Sequence, residues 1–137
     1  MDFKLKDKRV IVTGGSRGIG LSIAREFAKE GAAVSICARG QESLGKARSL
    51  LEKSGGKVHV ATCDVSDPPS LQEYIEDAVA ALSGLNILVN NPSGFGRTDD
   101  EAGWQAGLDI DLMALVRGSW AAVPHIEKVG GGALIHT

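Results

Sequence analysis

The stretch Thr13-Gly14-Gly15-Ser16-Arg17-Gly18-Ile19-Gly20 joins the apolar run Val10-Ile11-Val12 to a helical pattern that begins near Leu21. Glycines permit a tight turn and let an anionic group approach the backbone closely. The free N–H groups at the start of a helix attract negative charge. The stretch therefore predicts a phosphate-binding turn between a strand and a helix.

The spacing of these glycines distinguishes between two known kinds of phosphate loop. A P-loop needs Lys followed by Ser or Thr after its second glycine, whereas Leu21 and Ser22 follow Gly20. The G-x-G-x-x-G dinucleotide fingerprint is not matched either, because the glycines fall at Gly14, Gly18 and Gly20. The pattern that remains is T-G-x-x-x-G-x-G.

The rest of the chain alternates between short apolar runs and longer amphipathic stretches. We predict strands over residues 9–13, 33–38, 57–62, 85–90 and 133–137, and helices over residues 16–30, 41–53, 68–83 and 99–128. Pro124 should kink or end the last helix. Apolar strands separated by helices indicate a parallel sheet that is buried on both faces. We expect one doubly wound, Rossmann-like α/β domain over residues 1–137.

Composition restricts the class of partner. The chain is 43% hydrophobic and 23% charged with a formal net charge of -2, so it has no basic footprint for nucleic acid or an anionic membrane. It has neither an apolar run of about 18 residues nor a signal-peptide core, and we expect a cytoplasmic protein. Cys37 and Cys63 are interpreted as small core residues in a reducing compartment. The three histidines lack metal-ligand spacing, and no metal site is predicted.

Ligands of doubly wound sheets bind outside the carboxyl ends of the strands, which draws attention to two further positions. Arg39 follows the second strand, where a cation suits the 2′-phosphate of NADP, and Arg17 in the glycine turn would assist. No acidic residue stands there to bond the ribose 2′-OH of NAD, so we predict NADP. Asp64 would either accept a hydrogen bond from the adenine amino group or cap the helix that Pro68 begins.

These residues together resemble the short-chain dehydrogenase/reductase family, in particular its 3-oxoacyl-[acyl-carrier-protein] reductase-like members. The segment from Thr13 to Gly20 looks like the family's cofactor loop, and Leu88-Val89-Asn90-Asn91 looks like the start of its N-N-A-G motif. Arg17 and Arg39 resemble the basic pair of NADP-preferring members. The resemblance implies a cofactor site made of Gly14, Ser16, Arg17, Gly18, Ile19, Gly20, Arg39, Asp64, Val65 and Asn91.

The chain departs from the family pattern at two places. Pro92-Ser93 replaces the Ala-Gly of the motif, so the loop from Ser93 to Arg97, which we expect to border the pocket, would have a different shape. In the next helix, Asp111 occupies the position of an asparagine that belongs to the family's catalytic set. Asp can hold a water molecule as Asn does, but it adds a charge and lacks the amide donor. The alternative interpretation, to which we give equal weight, is that Asp111 is an ordinary polar residue of the helix.

The family's catalytic Ser and its Tyr and Lys in Y-x-x-x-K spacing have no counterpart before Thr137. The only tyrosine, Tyr74, has Ala78 four residues later. If the fifth strand stopped within its apolar run, the sheet would have a hydrophobic edge with unpaired backbone groups. We therefore expect the cofactor-binding part of a longer enzyme.

The resemblance implies an NADP-dependent oxidoreductase that acts on a small carbonyl or alcohol substrate. The alternatives are a non-catalytic NADP-binding module or pseudoenzyme and, more weakly, an interaction domain whose glycine loop binds nothing. Family members commonly form homodimers or homotetramers through the fourth helix. Within that helix we expect core packing for Leu108, Leu112, Leu115 and Val116, with Trp120 as a candidate partner contact.

Overall fold

The computed structural model describes residues 1–94 and 96–137, and it contains one parallel five-stranded sheet in the order β3-β2-β1-β4-β5. The strands are β1 (Arg9–Val12), β2 (Ala33–Ala38), β3 (Val58–Thr62), β4 (Ile87–Asn90) and β5 (Ala133–His136). The helices are α1 (Gly18–Lys29), α2 (Gln41–Glu52), α3 (Pro68–Leu82), α4 (Glu101–Gly107) and α5 (Ala114–Lys128). The strand order reverses between β1 and β4, which confirms the predicted doubly wound, Rossmann-like fold.

Successive side chains of the central strands lie on opposite faces of the sheet, so the core consists of two layers. In β1, Val10 and Val12 belong to the layer beneath α1 and α2, whereas Ile11 belongs to the layer beneath α3 and α5. All three side chains are fully buried. Because helices cover both faces, the three consecutive positions Val10, Ile11 and Val12 are all apolar, without the polar alternation of a strand that has one exposed face.

Helix α3 begins with a cap that excludes one of the two interpretations of Asp64, the capping of this helix. The carboxylate of Asp67 accepts the backbone N–H of Ser70 at 3.2 Å, and Pro68 and Pro69 occupy the first turn, where their missing N–H groups are not needed. Asp67 is therefore the cap. The carboxylate of Asp64 instead accepts hydrogen bonds from Ser66.

The predicted helix over residues 99–128 begins at Glu101 and continues to Lys128, but it is not a regular α-helix throughout. Helix α4 starts after Asp100, whose carboxylate accepts the Gly103 N–H at 2.8 Å, and a π-helical segment (Leu108–Met113) separates it from α5. Pro124 does not end α5, which continues to Lys128. The N–H that Pro124 lacks would have bonded to Trp120, and both residues are exposed, so water is available to that carbonyl.

The prediction of core packing is wrong for Leu108 and Leu112, which are 47% and 50% exposed. Of the described helices and strands, α4 contacts only the π-helical segment that follows it, whereas α5 packs against α3, β4 and β5. No sheet lies beneath the first half of this region to cover the two leucines. Leu115 and Val116, in α5, are half-buried, and Trp120 is 70% exposed.

Cys37 and Cys63 are both buried within the layer beneath α3 and α5, as predicted for core residues. Within the part of the chain that the structure describes, no cluster of three His, Cys, Asp or Glu side chains could hold a metal ion. None of the described helices has the length and apolar character needed to cross a membrane.

Candidate functional site

The turn from β1 to α1 has a conformation that only glycine accommodates easily. Gly14 and Gly18 have φ values of 61° and 57°, in the left-handed region. A Cβ on Gly14 would lie 2.5 Å from the Asn91 carbonyl oxygen, and one on Gly15 would lie 2.6 Å from the Ile36 Cγ2 atom. The Gly15 N–H also donates to the Cys37 carbonyl at 3.1 Å. The turn therefore packs tightly against the ends of β2 and β4.

Asn91 connects the glycine turn to the end of β4. Its backbone N–H donates to Thr13 Oγ1 at 3.1 Å, and its Nδ2 donates to the Gly14 carbonyl at 3.2 Å. Its Oδ1 accepts the hydroxyl of Thr137, just after β5, at 2.8 Å. A Cβ on Gly20 would lie 2.5 Å from Asn91 Nδ2 and would also collide with the Gly14 carbonyl. One side chain thus holds three strand ends together.

The N-terminus of α1 points its first N–H groups out of this turn. Arg17, at the cap position, has extended backbone and makes no side-chain capping bond within the described residues. Ser16 is half-buried, whereas Arg17, Gly18 and Ile19 are exposed, Ile19 at 69%. Nothing lies within 4 Å of the place that a Cβ on Gly18 would take. An uncapped, uncrowded helix start with an adjacent arginine suits an anion.

A second group of predicted residues lies at the carboxyl ends of β2 and β3, beside the glycine turn. Arg39, Thr62, Cys63, Asp64 and Ser70 line a cavity of about 220 Å³. The Ser66 hydroxyl, 2.6 Å from Asp64 Oδ1, lowers the pKa of that carboxyl, and the Ser66 N–H and the Arg39 charge lower it further. Asp64 therefore presents an ionised carboxylate to the cavity at neutral pH. Its neighbour, Val65, is half-buried and packs against the core.

Asp111 lies apart from these groups, in the π-helical segment. Its Oδ1 accepts the N–H of Gly94 at 2.8 Å and so attaches the loop after β4 to this segment. Asp111, Gly96, Arg97 and Trp104 are among the residues that line an open cleft of about 750 Å³. The Ser93–Arg97 loop thus borders a cleft, with Phe95 outside the described residues.

Sequence reasoning missed several residues that hold the site together. Thr13 and Thr137 orient Asn91, and the buried Asn90 contacts His136 Nδ1 at 3.2 Å and donates to Ser119 Oγ at 3.4 Å. Thr13 and Asn90 belong to motifs that the sequence analysis quoted, but nothing in the sequence indicated these contacts. The structure thus brings together the glycine turn and Asn91, places Arg39 and Asp64 beside one neighbouring cavity, and places Asp111 on a different cleft.

The family model for short chain dehydrogenase matches residues 8–137 of this chain, which includes every residue described above. The chain belongs to the short-chain dehydrogenase family. Rabbit (Oryctolagus cuniculus) dehydrogenase/reductase SDR family member 4 is 35% identical over 136 residues, which are 96% of this chain and 52% of that protein. The 3-oxoacyl-[acyl-carrier-protein] reductase FabG of Chlamydia pneumoniae is 33% identical, over 99% of this chain and 56% of its own length.

Solved structures of short-chain dehydrogenases have the same fold. L-sorbose reductase from Gluconobacter frateurii, in complex with NADPH and L-sorbose, superposes with a TM-score of 0.92 at 38% identity, over 99% of this chain and 54% of that one. A 7α-hydroxysteroid dehydrogenase in complex with NADH gives a TM-score of 0.91 at 27% identity, over 96% and 53%. The chain spans about half the length of the relatives it matches.

Proposed function

We propose that this chain forms the NADP-binding part of an oxidoreductase that moves hydride between a nicotinamide cofactor and a small carbonyl or alcohol compound. The observation that carries the proposal is the glycine turn packed against Asn91, with the uncapped N-terminus of α1 beside it. The turn lies at the strand-order reversal of the sheet, which is where doubly wound proteins bind dinucleotides.

The residues at this edge fit a dinucleotide from one end to the other. The N–H groups at the start of α1, with Ser16, Gly18 and Ile19 around them, would hold the pyrophosphate. Asp64 would accept the adenine amino group and Val65 would contact the ring, from the cavity at the end of β3. Asn91 would border the nicotinamide ribose. The bound cofactor supplies the hydride, and the protein residues position it and exclude water.

The choice of NADP rests on Arg39 and Arg17. Both are exposed, one after β2 and one in the glycine turn, and Arg39 lines the cavity that would hold the adenosine. A guanidinium pairs well with a phosphate, whereas NAD would need an acidic residue for the ribose 2′-OH. One of the two solved relatives binds NADPH and the other binds NADH, so membership of the family does not by itself decide between NADP and NAD.

Calorimetry with NADPH and NADH tests the cofactor proposal. We expect the chain to bind NADPH more tightly, and Arg39→Asp to reverse the order of affinity because it replaces the phosphate partner with a repelling carboxylate. The matched control is Arg48→Asp, in the second half of α2, which removes an exposed ion pair to Glu52 at the opposite edge of the sheet. Tighter binding of NADH by the unchanged chain would overturn the role of Arg39.

The second candidate function is a non-catalytic NADP-binding module, and the contacts of Asp111 support it. The carboxylate that replaces the family's asparagine is engaged by the Gly94 N–H, and Tyr74 is 3% exposed in the core, with its hydroxyl 2.7 Å from Ser35 Oγ. Turnover of a panel of ketones by the 137-residue chain with NADPH would refute the module. Binding of NADPH without turnover would support it for this chain.

A further inference from the structure

The peptide group between Gly14 and Gly15 is held from both of its sides. Its carbonyl accepts Asn91 Nδ2 at 3.2 Å, and its N–H donates to the Cys37 carbonyl at 3.1 Å. Because the C=O and N–H of a trans peptide point in opposite directions, one bond reaches the end of β4 and the other reaches the end of β2. A glycine on each side leaves the rotation of this peptide free of side-chain hindrance. Its orientation in the turn therefore depends on these two hydrogen bonds.

The bond from Asn91 depends in turn on Thr137. The Gly14 carbonyl can only accept a hydrogen bond, so the Asn91 amide has to present Nδ2 to it and direct Oδ1 elsewhere. The Thr137 hydroxyl donates to this Oδ1 at 2.8 Å. The backbone N–H of Thr137 donates to the Asn90 carbonyl at 3.1 Å, which keeps the hydroxyl in place. The hydrogen bonds thus run in one direction, from Thr137 through Asn91 to Gly14.

We propose that Thr137 is a positioning residue for the glycine turn, because its hydroxyl fixes the Asn91 amide and, through that amide, the peptide between Gly14 and Gly15. The consequence for binding rests on the proposed function. The turn leads into the N-terminus of α1, whose first N–H groups would hold the pyrophosphate. A turn that is already ordered does not have to be ordered when the cofactor binds, and affinity increases accordingly.

Amide hydrogen exchange tests the positioning role without any cofactor. Thr137→Val keeps the branched shape of the side chain and removes the hydroxyl. The Gly15 N–H should then exchange about three- to tenfold faster, the effect of one lost hydrogen bond at a position that water can reach. Thr137→Ser should restore the slow exchange. Unchanged exchange of Gly15 in Thr137→Val would overturn the proposal.

Two controls separate a local effect from a general loss of structure. Ser49→Ala removes an exposed hydroxyl that donates to the Gly45 carbonyl in α2, and it should leave the exchange of Gly15 unchanged. The Ile11 N–H, within β1, should keep its exchange rate in every variant. Equal acceleration at Ile11 and Gly15 would assign Thr137 a merely structural role and overturn the proposal. If Thr137→Val does not fold, Thr137→Ala takes its place.

Calorimetry with NADPH and with 2′-AMP tests the consequence for binding. The second compound has the adenosine and the 2′-phosphate but lacks the pyrophosphate and the nicotinamide, so it would contact the cavity at Arg39 and Asp64 and not depend on the turn. Thr137→Val should bind NADPH about three- to tenfold more weakly and 2′-AMP equally well, with recovery in Thr137→Ser.

An equal loss of affinity for both compounds, or no loss for NADPH, would overturn the link between Thr137 and the phosphate site. If the unchanged chain does not bind NADPH at all, the proposed function fails. The exchange of the Gly15 N–H still decides in that case whether Thr137 positions the turn.

Discussion

Gly20 is the residue at which the fit between the glycine turn and the sheet is tightest. Its missing side chain leaves room for the Gly14 carbonyl and the Asn91 amide, which are themselves hydrogen-bonded at 3.2 Å. Neither group can retreat easily, since one is backbone and the other also holds Thr137. The glycine therefore serves close packing at this position and not a positive φ.

Gly20→Ala should destabilise the chain by about 1–3 kcal/mol, as overpacking of a fixed site does. The matched control is Gly45→Ala in the middle of α2, where nothing lies within 4 Å of the new methyl group. There the better helix propensity of Ala should stabilise by about 0.5–1 kcal/mol. Urea unfolding of both variants measures the difference, and equal effects would contradict the packing argument.

His59 belongs to a small polar network at the edge of the sheet. Ser35 Oγ lies 2.8 Å from His59 Nδ1 and 2.7 Å from the buried Tyr74 hydroxyl. Partial burial is the main cause that lowers the pKa of His59. The charge of Asp77 raises this pKa, and the charge of Arg48 lowers it further. Burial is also the main cause that raises the pKa of Tyr74. The folded protein therefore prefers His59 in its neutral form.

The free energy of unfolding should therefore decrease as the pH becomes acidic. The unfolded chain takes up a proton on His59 as the pH falls through its ordinary pKa of 6.5, while the folded chain takes it up only at lower pH. The contribution of neutral His59 is thus complete above pH 6.5 and is lost as the pH falls toward the folded pKa. Thermal unfolding over roughly pH 5 to 8 measures this slope.

His59→Gln keeps an acceptor for Ser35 and cannot titrate, so its unfolding temperature should depend less on pH than that of the unchanged chain. All other ionisable side chains are the same in the two proteins, so their contributions cancel in the comparison. Identical pH slopes in the two proteins would exclude His59 as the source.

At the scale of elements, the region between β4 and β5 differs most from a regular pattern. The π-helical segment Leu108–Met113 interrupts the helix, and such segments occur often at functional sites. The segment places Asp111 where its carboxylate accepts the Gly94 N–H. Leu108 and Leu112 of the same segment are half-exposed, since no described strand contacts it.

The start of α3 offers a test of an element boundary. Asp67→Ala removes the acceptor for the Ser70 N–H and should cost about 1 kcal/mol, since that N–H loses its side-chain partner. Asp67→Asn is the matched control, because its amide oxygen caps nearly as well. Chemical denaturation measures both, and an equal loss in the two variants would assign the effect to charge instead of capping.

At the scale of the whole molecule, exposed apolar side chains are concentrated on α4, the π-helical segment and α5. This apolar face, as we call it, comprises Trp104, Leu108, Leu112, Trp120 and Val123, which are 36% to 70% exposed. Exposed apolar side chains concentrated on one region of a surface are typical of an interaction site. We propose that two copies of the protein associate through it, as a homodimer or as part of a homotetramer.

Sedimentation velocity over a range of concentrations tests this association. Trp120→Glu should shift the protein toward the monomer because it places a charge on the apolar face. Ile19→Glu, which changes an equally exposed apolar residue next to the glycine turn, should leave association unchanged. A chain that stays monomeric at every concentration would contradict the proposal.

The order of strands and helices, the two-sided burial of the central strands and the position of the glycine turn were predictable from the sequence, whereas the exposure of β5 was not. They depend on local properties: apolar runs of strand length, helical periodicity and glycines between them. The same local signals identified Arg39 and Asp64 as strand-end residues, and their roles in binding remain predictions. Family membership also followed from these motifs, and the family match over residues 8–137 confirms it.

Other features depend on contacts between residues far apart in the chain, and the tertiary structure alone decided them. Asn91 holds Gly14 and Thr137 only because the parallel register aligns the ends of the strands. The exposure of Leu108 and Leu112 depends on what lies beneath the helix, and helical periodicity does not report it. The physical reason is that a sequence pattern describes one element, whereas a site is made where several elements meet.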